Sequence, residues 1–130
     1  MKFNGLDHLA IVVEDTEEAL KIWHGKFGFP IVCSEVVNND TVKLTHLDLG
    51  NTHLQLVEPL TADHPLQDWL AENGSGLHHF CLKVDNVDDA FTDGPVGAAS
   101  LSSHQGTEGK RALFFDSSET NNVIVEITGK

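Results

Sequence analysis

The chain contains eight histidines in 130 residues, no tyrosine and a single arginine, Arg111, so its side-chain chemistry is weighted toward imidazole. Imidazole is the commonest metal ligand and the usual proton carrier near neutral pH. Two of the histidines stand at equivalent places in an internal repeat. His8-Leu9-Ala10-Ile11-Val12-Val13-Glu14-Asp15 recurs as His79-Phe80-Cys81-Leu82-Lys83-Val84-Asp85-Asn86, an offset of 71 residues. The same offset sets Glu17-Glu18-Ala19-Leu20 on Asp88-Asp89-Ala90-Phe91, Asn51 on Asn122, Leu54 on Val125, Gln55 on Glu126 and Leu56 on Ile127.

Strand side chains alternate between faces, so residues of one parity share a face. His8 shares its face with Ala10 and Val12, and Gln55 shares its face with His53 and Val57. The repeat then assigns His79 the place of His8 and Glu126 the place of Gln55. One polar residue in a strand is more often a satisfied core or surface group than a ligand. His8, Gln55, His79 and Glu126, however, fill two equivalent positions twice with ligand-type side chains. Two imidazoles, an amide oxygen and a carboxylate make a mixed N/O set suited to one divalent ion (Co, Mn, Ni, Zn or Mg) with coordination positions left open. Of the paired histidines, His79 is in register with His8, and His78 points to the other face as a packing residue or a support behind the ligands.

The elements that must hold this quartet follow one plan twice. Residues 8 to 13 read as a strand and Thr16 as the cap of a helix carrying Leu20, Trp23, His24 and Phe27, stopped by Gly28 and Pro30. Residues 31–37, 42–49 and 52–58 read as three further strands. Pro65-Leu66-Gln67-Asp68-Trp69-Leu70-Ala71-Glu72 reads as a connecting helix ended by Asn73-Gly74-Ser75-Gly76. The second module repeats the order with a helix cut short at Asp93-Gly94-Pro95, followed by strands over about 98–102, 111–116 and 122–128. The expected fold is α+β: one domain over 1–130, with module 1 about 1–60, a connector 61–76 and module 2 about 77–130. The two βαβββ modules together would form one curved eight-stranded mixed sheet around the metal site. Trp23 and Phe27 are expected in the core, Cys33 and Cys81 as buried apolar fillers, and His24, His64 and His104 as surface or loop residues.

With this plan, Leu6-Asp7-His8-Leu9-Ala10-Ile11-Val12-Val13 resembles the opening of the vicinal oxygen chelate (glyoxalase/bleomycin resistance/dioxygenase) superfamily. A more specific stretch runs from Leu49-Gly50-Asn51-Thr52-His53-Leu54-Gln55-Leu56-Val57-Glu58-Pro59-Leu60 through Gly74-Ser75-Gly76-Leu77-His78-His79-Phe80. It resembles the methylmalonyl-CoA epimerases, as do Gly109-Lys110-Arg111-Ala112-Leu113-Phe114-Phe115 and Val123-Ile124-Val125-Glu126-Ile127. The likeness is weakest from Asn86 to Thr107. It implies metal ligation by His8, Gln55, His79 and Glu126, a homodimer, and proton abstraction α to a thioester carbonyl with Glu126 as the first catalytic base. It also implies a glutamate on the third strand as the second proton carrier, where this chain has Leu44. His46, two residues on and on the same face, is the expected replacement.

Candidates for contact with an acyl-CoA or other thioester are Lys110, Arg111 and His53, with Lys83 and Lys43 as further cations. The net charge of −12 argues against nucleic acid, whose phosphates need clustered Lys and Arg. No apolar run is long enough to span a bilayer and no signal peptide is evident, so a cytoplasmic protein is expected. A glyoxalase I-like lactoylglutathione lyase is the nearest alternative. Members of that kind often have a glutamate where Gln55 stands, and a neutral amide cannot act as a base. A small-molecule-binding resistance protein without turnover is the alternative of another class; such proteins generally lack the quartet.

Overall fold

The computed structural model describes every residue, Met1–Lys130. It contains eight strands: β1 (Phe3–Val12), β2 (Ile31–Val37), β3 (Val42–Asp48), β4 (His53–Pro59), β5 (Gly76–Val84), β6 (His104–Gln105), β7 (Arg111–Phe114) and β8 (Val125–Gly129). Three helices accompany them: α1 (Thr16–Leu20), α2 (Pro65–Asn73) and α3 (Asp89–Asp93). The strands hydrogen-bond in the order β2-β3-β4-β1-β5-β8-β7-β6. The β5–β8 pairing is parallel, whereas β2–β3, β3–β4, β6–β7 and β7–β8 are antiparallel, so the sheet is mixed. This is the eight-stranded α+β architecture that the repeat implies.

The chain divides into two compact units, Leu9–His78 and Met1–His8 with His79–Lys130. In the first of these, strand parity sorts the side chains onto two faces. Leu47, Leu54 and Leu56 pack with Val13 and Ala19 beneath α1, joined by Leu20 and Trp23. Ala10, Val12, Val42, Leu44 and Val57 lie on the opposite face and meet Leu70, Leu66 and Trp69 of α2. Leu44, at the position where the resemblance implies a glutamate, is therefore a core residue, 8% exposed. In the second unit Val125, Ile127, Leu113, Phe115 and Val84 pack with Val87 and Ala90 at α3, and the opposite face carries His8, His79, Glu126 and Thr128 together with Cys81, Ala112 and Phe114. The expected packing alternation thus holds in both units.

Several local expectations need correction. The cap of α1 is Asp15, whose carboxylate accepts from the Glu18 backbone N–H at 3.2 Å. Thr16 is instead buried, and its backbone N–H and hydroxyl both donate to Glu58 Oε1, at 2.8 and 2.7 Å. Beyond Leu20 the helix widens into a π-helical segment, Lys21–Lys26. That widening displaces Phe27 from the core: it is 60% exposed and stacks on Trp23 and Phe29. Cys33 is half-buried, while Cys81 is fully buried as expected. The strand expected at 98–102 is reduced to a bridge between Ala98 and Phe115, and the edge strand forms later, at His104–Gln105. His64 caps α2, its Nδ1 accepting from the Leu66 N–H at 3.1 Å.

Candidate metal centre

On the polar face of the second unit, β1 presents His8, β5 presents His79 and β8 presents Glu126. All three are buried, at 4, 8 and 7% exposure. Glu126 Oε1 lies 3.1 Å from His79 Nε2 and 3.3 Å from His8 Nε2. The two imidazoles meet edge to face at 5.6 Å. Each residue offers one ligand atom, and the three atoms lie within 4.8 Å of one another. Two nitrogens and a carboxylate oxygen converging at this spacing fit a divalent cation, which replaces mutual hydrogen bonds with shared coordination.

The electrostatics of the trio are set by its neighbours. Burial opposes charge on His8, but the Asp7 carboxylate at 2.7 Å from Nδ1 and the Glu126 carboxylate outweigh it, raising its pKa to about 8. Burial also opposes charge on Glu126. Hydrogen bonds from His104, His79 and His8 prevail and hold its carboxyl well below the ordinary range. Cys81, across the β5–β8 ladder from Glu126, is a closed thiol: burial and the surrounding carboxylates push it up.

Not every donor to Glu126 was expected. His104, read from sequence as a loop residue, lies with Nε2 at 3.1 Å from Glu126 Oε2. The signal for it was absent because it falls where both the repeat and the resemblance are weakest. Only the strand pairing His104↔Ala112 and the ring contact with Phe114 bring it to the carboxylate.

Gln55, His46 and His53 form a second polar cluster, in the unit Leu9–His78. His46 and Gln55 are cross-strand partners on β3 and β4, both 4% exposed. Gln55 Nε2 is 3.0 Å from His46 Nε2, and His46 Nδ1 is 3.0 Å from His53 Nδ1. An amide nitrogen only donates, so His46 Nε2 accepts and its Nδ1–H donates to His53. This orientation turns the Gln55 nitrogen, not its oxygen, toward His46.

Of the cations assigned to substrate, Arg111 is already engaged. Its guanidinium donates to Asp88 at 2.7 Å, Asn86 at 3.2 Å and the Lys130 carbonyl at 2.8 Å. Lys110 is exposed beside it, and His53 is half-buried. His78 meets Trp69 edge-on at 5.1 Å, a packing role. No helix is long and apolar enough to cross a membrane.

Comparison with known proteins agrees with this architecture. A family model described as the glyoxalase/bleomycin resistance protein/dioxygenase superfamily matches residues 7–114. The uncharacterized protein YqjC of Bacillus subtilis (strain 168) is 32% identical over 127 residues, covering 95% of this chain and 91% of that protein. The mitochondrial methylmalonyl-CoA epimerase of Mus musculus is 32% identical over 132 residues, covering 97% of this chain and 73% of that one. Among solved structures, a Streptomyces coelicolor methylmalonyl-CoA epimerase variant in complex with 2-nitronate-propionyl-CoA superposes with a TM-score of 0.87 at 27% identity, covering 99% of each chain. The chain belongs to the glyoxalase/bleomycin resistance protein/dioxygenase superfamily, and methylmalonyl-CoA epimerases are among the proteins it is similar to.

Proposed function

We propose that the chain is an isomerase, a divalent-metal-dependent epimerase acting on methylmalonyl-CoA or a similar acyl thioester. The observation that carries the reading is the convergence of His8, His79 and Glu126, with Glu126 Oε1 at 3.3 and 3.1 Å from the two imidazoles. Its substrate class rests on the similarity to methylmalonyl-CoA epimerases over nearly the whole chain. His8, His79 and Glu126 are the proposed ligands. Gln55 is proposed as a fourth, because it takes the place of Glu126 under the repeat. A divalent cation held by these residues would supply Lewis-acid stabilisation of the negative charge that develops on the substrate oxygens.

Epimerisation removes the C2 proton from one face and returns one to the other, so the chain must provide two proton carriers. Glu126 takes the proton at C2 in one direction. His46 returns a proton to the opposite face of the planar enediolate, restoring the thioester with inverted configuration. His46 accepts from Gln55 at Nε2 and donates to His53 at Nδ1, and half-buried His53 links it to solvent, so a proton taken up by way of His53 would first charge His46, which then gives one proton to C2 and returns to neutral. Lys110 and His53 are the proposed contacts to the acyl-CoA. Arg111 remains a candidate only if substrate displaces its Asp88 and Asn86 partners. A homodimer is proposed from resemblance alone, and light scattering checks it.

The deciding measurement is deuterium incorporation at C2 of methylmalonyl-CoA in heavy water by protein loaded with Co²⁺ or Mn²⁺. Incorporation accompanied by inversion is expected. Metal-loaded protein that incorporates no deuterium would reject the epimerase.

A further inference from the structure

Glu126 divides its two oxygens between different partners. Oε1 faces His8 and His79, while Oε2 receives His104 Nε2 at 3.1 Å. An ionised carboxylate only accepts, so the His104 nitrogen carries the hydrogen and donates it. The ring of His104 is itself held. It stacks on Phe114 at 5.3 Å and 15°, and Phe114 presents its edge to His79 at 5.1 Å and 88°. Phe114 is also the cross-strand partner of Glu126, so β7 and β8 together fix the plane on which His104 rests. The side chain of His104 is 36% exposed and sits on a two-residue edge strand, outside the converging ligand atoms of His8, His79 and Glu126.

From this geometry we infer that His104 is a positioning residue: it holds Oε2 of Glu126 and so keeps Oε1 turned toward His8 and His79 as the oxygen offered to a cation. The inference rests on the metal reading above and adds to it a residue that the repeat does not supply. Partners that fix a ligating carboxylate typically change metal affinity by about 10- to 100-fold when removed, because an unheld ligand must be ordered on binding. Packing and hydrogen bonding can be separated here by two substitutions. His104→Phe keeps a ring to stack on Phe114 and removes the donor. His104→Gln removes the ring and keeps an N–H.

The experiment is titration of the metal-free full chain with Co²⁺, followed by calorimetry and by the visible absorption of the bound ion, on wild type, H104F, H104Q and H79A. Expected are Co²⁺ binding about 10-fold weaker or worse in H104F with an altered absorption envelope, near wild-type binding in H104Q, and loss of binding in H79A. In the exchange assay H104F should lower kcat and leave KM for the thioester unchanged. Wild-type affinity and spectrum in H104F would overturn the role of His104 while leaving the metal reading intact. Failure of H104Q to restore the spectrum would also overturn it, since the imidazole itself would then be the required group. Absence of Co²⁺ binding in wild type, or undiminished binding in H79A, would overturn the metal reading itself.

Discussion

Asp7 and His8 are consecutive on β1, and the Asp7 carboxylate lies 2.7 Å from His8 Nδ1. This contact holds the imidazole through Nδ1 and turns Nε2 toward Glu126, so Nε2 is the nitrogen that would give up its hydrogen to ligate a cation. The two residues occupy opposite parities, so only the side-chain bond lets Asp7 act on the ligand face. Replacing Asp7 with Asn keeps the shape and removes the charge. Metal affinity is expected to fall by about 10-fold, measured by competition between the protein and a chromophoric chelator. Unchanged affinity in D7N would remove Asp7 from the site.

Metal binding and folding would be coupled, because the three proposed ligands come from β1, β5 and β8, which only the folded chain brings together. An ion that binds the native state alone raises stability by about 2.7 kcal/mol at a free concentration 100 times its dissociation constant. Scanning calorimetry of chelated and Co²⁺-loaded protein is expected to show a higher Tm with the ion. In H8A and H79A the two traces should coincide. An equal Tm gain in those variants would assign the stabilisation to some other site.

The repeat made the convergence of His8, His79 and Glu126 legible because period-two alternation converts register into facing, and one offset preserved that register at both ends of each half. β2 was legible to the residue, and α2 nearly so, since Pro65 and Gly74 punctuate it. The missed features come from contacts across elements. Asp15 rather than Thr16 caps α1 because Glu58, distant in sequence, takes both Thr16 donors. Phe27 leaves the core because the helix widens at Lys21–Lys26, which spacing at 3.6 residues per turn cannot foresee. His104 reaches Glu126 through a strand only two residues long, too short to leave any periodic trace.

The Thr16–Glu58 pair gives a stability test away from the candidate site. Thr16 is 1% exposed, and Glu58 Oε1 accepts both its N–H and its hydroxyl. Glu58→Ala leaves two buried donors without that acceptor, at a cost of about 1–3 kcal/mol. Glu58→Gln retains an acceptor oxygen and is expected to cost less. Urea unfolding of both variants checks the order, and equal midpoints to wild type would show that Glu58 contributes nothing to holding α1.

In the proposed mechanism His46 separates the two proton transfers. Leu44 sits among Ala10, Val12 and Val57 in an apolar cluster and has no proton to give, so under the proposed mechanism the opposite-face transfer is assigned to another group on β3. His46 shares that face and is the imidazole held between Gln55 and His53. A general acid or base in such a step contributes about 10²- to 10⁴-fold. His46→Phe fills the space without a titratable group and is expected to lower epimerisation by about 10²-fold or more. Exchange at C2 with retention of configuration, which needs only Glu126, should persist, so the ratio of exchange to inversion rises. Chiral analysis of the recovered thioester after partial reaction in heavy water reads that ratio directly. If inversion and exchange fall together, His46 supports the site as a whole rather than one face of the substrate; if neither falls, the second proton comes from elsewhere.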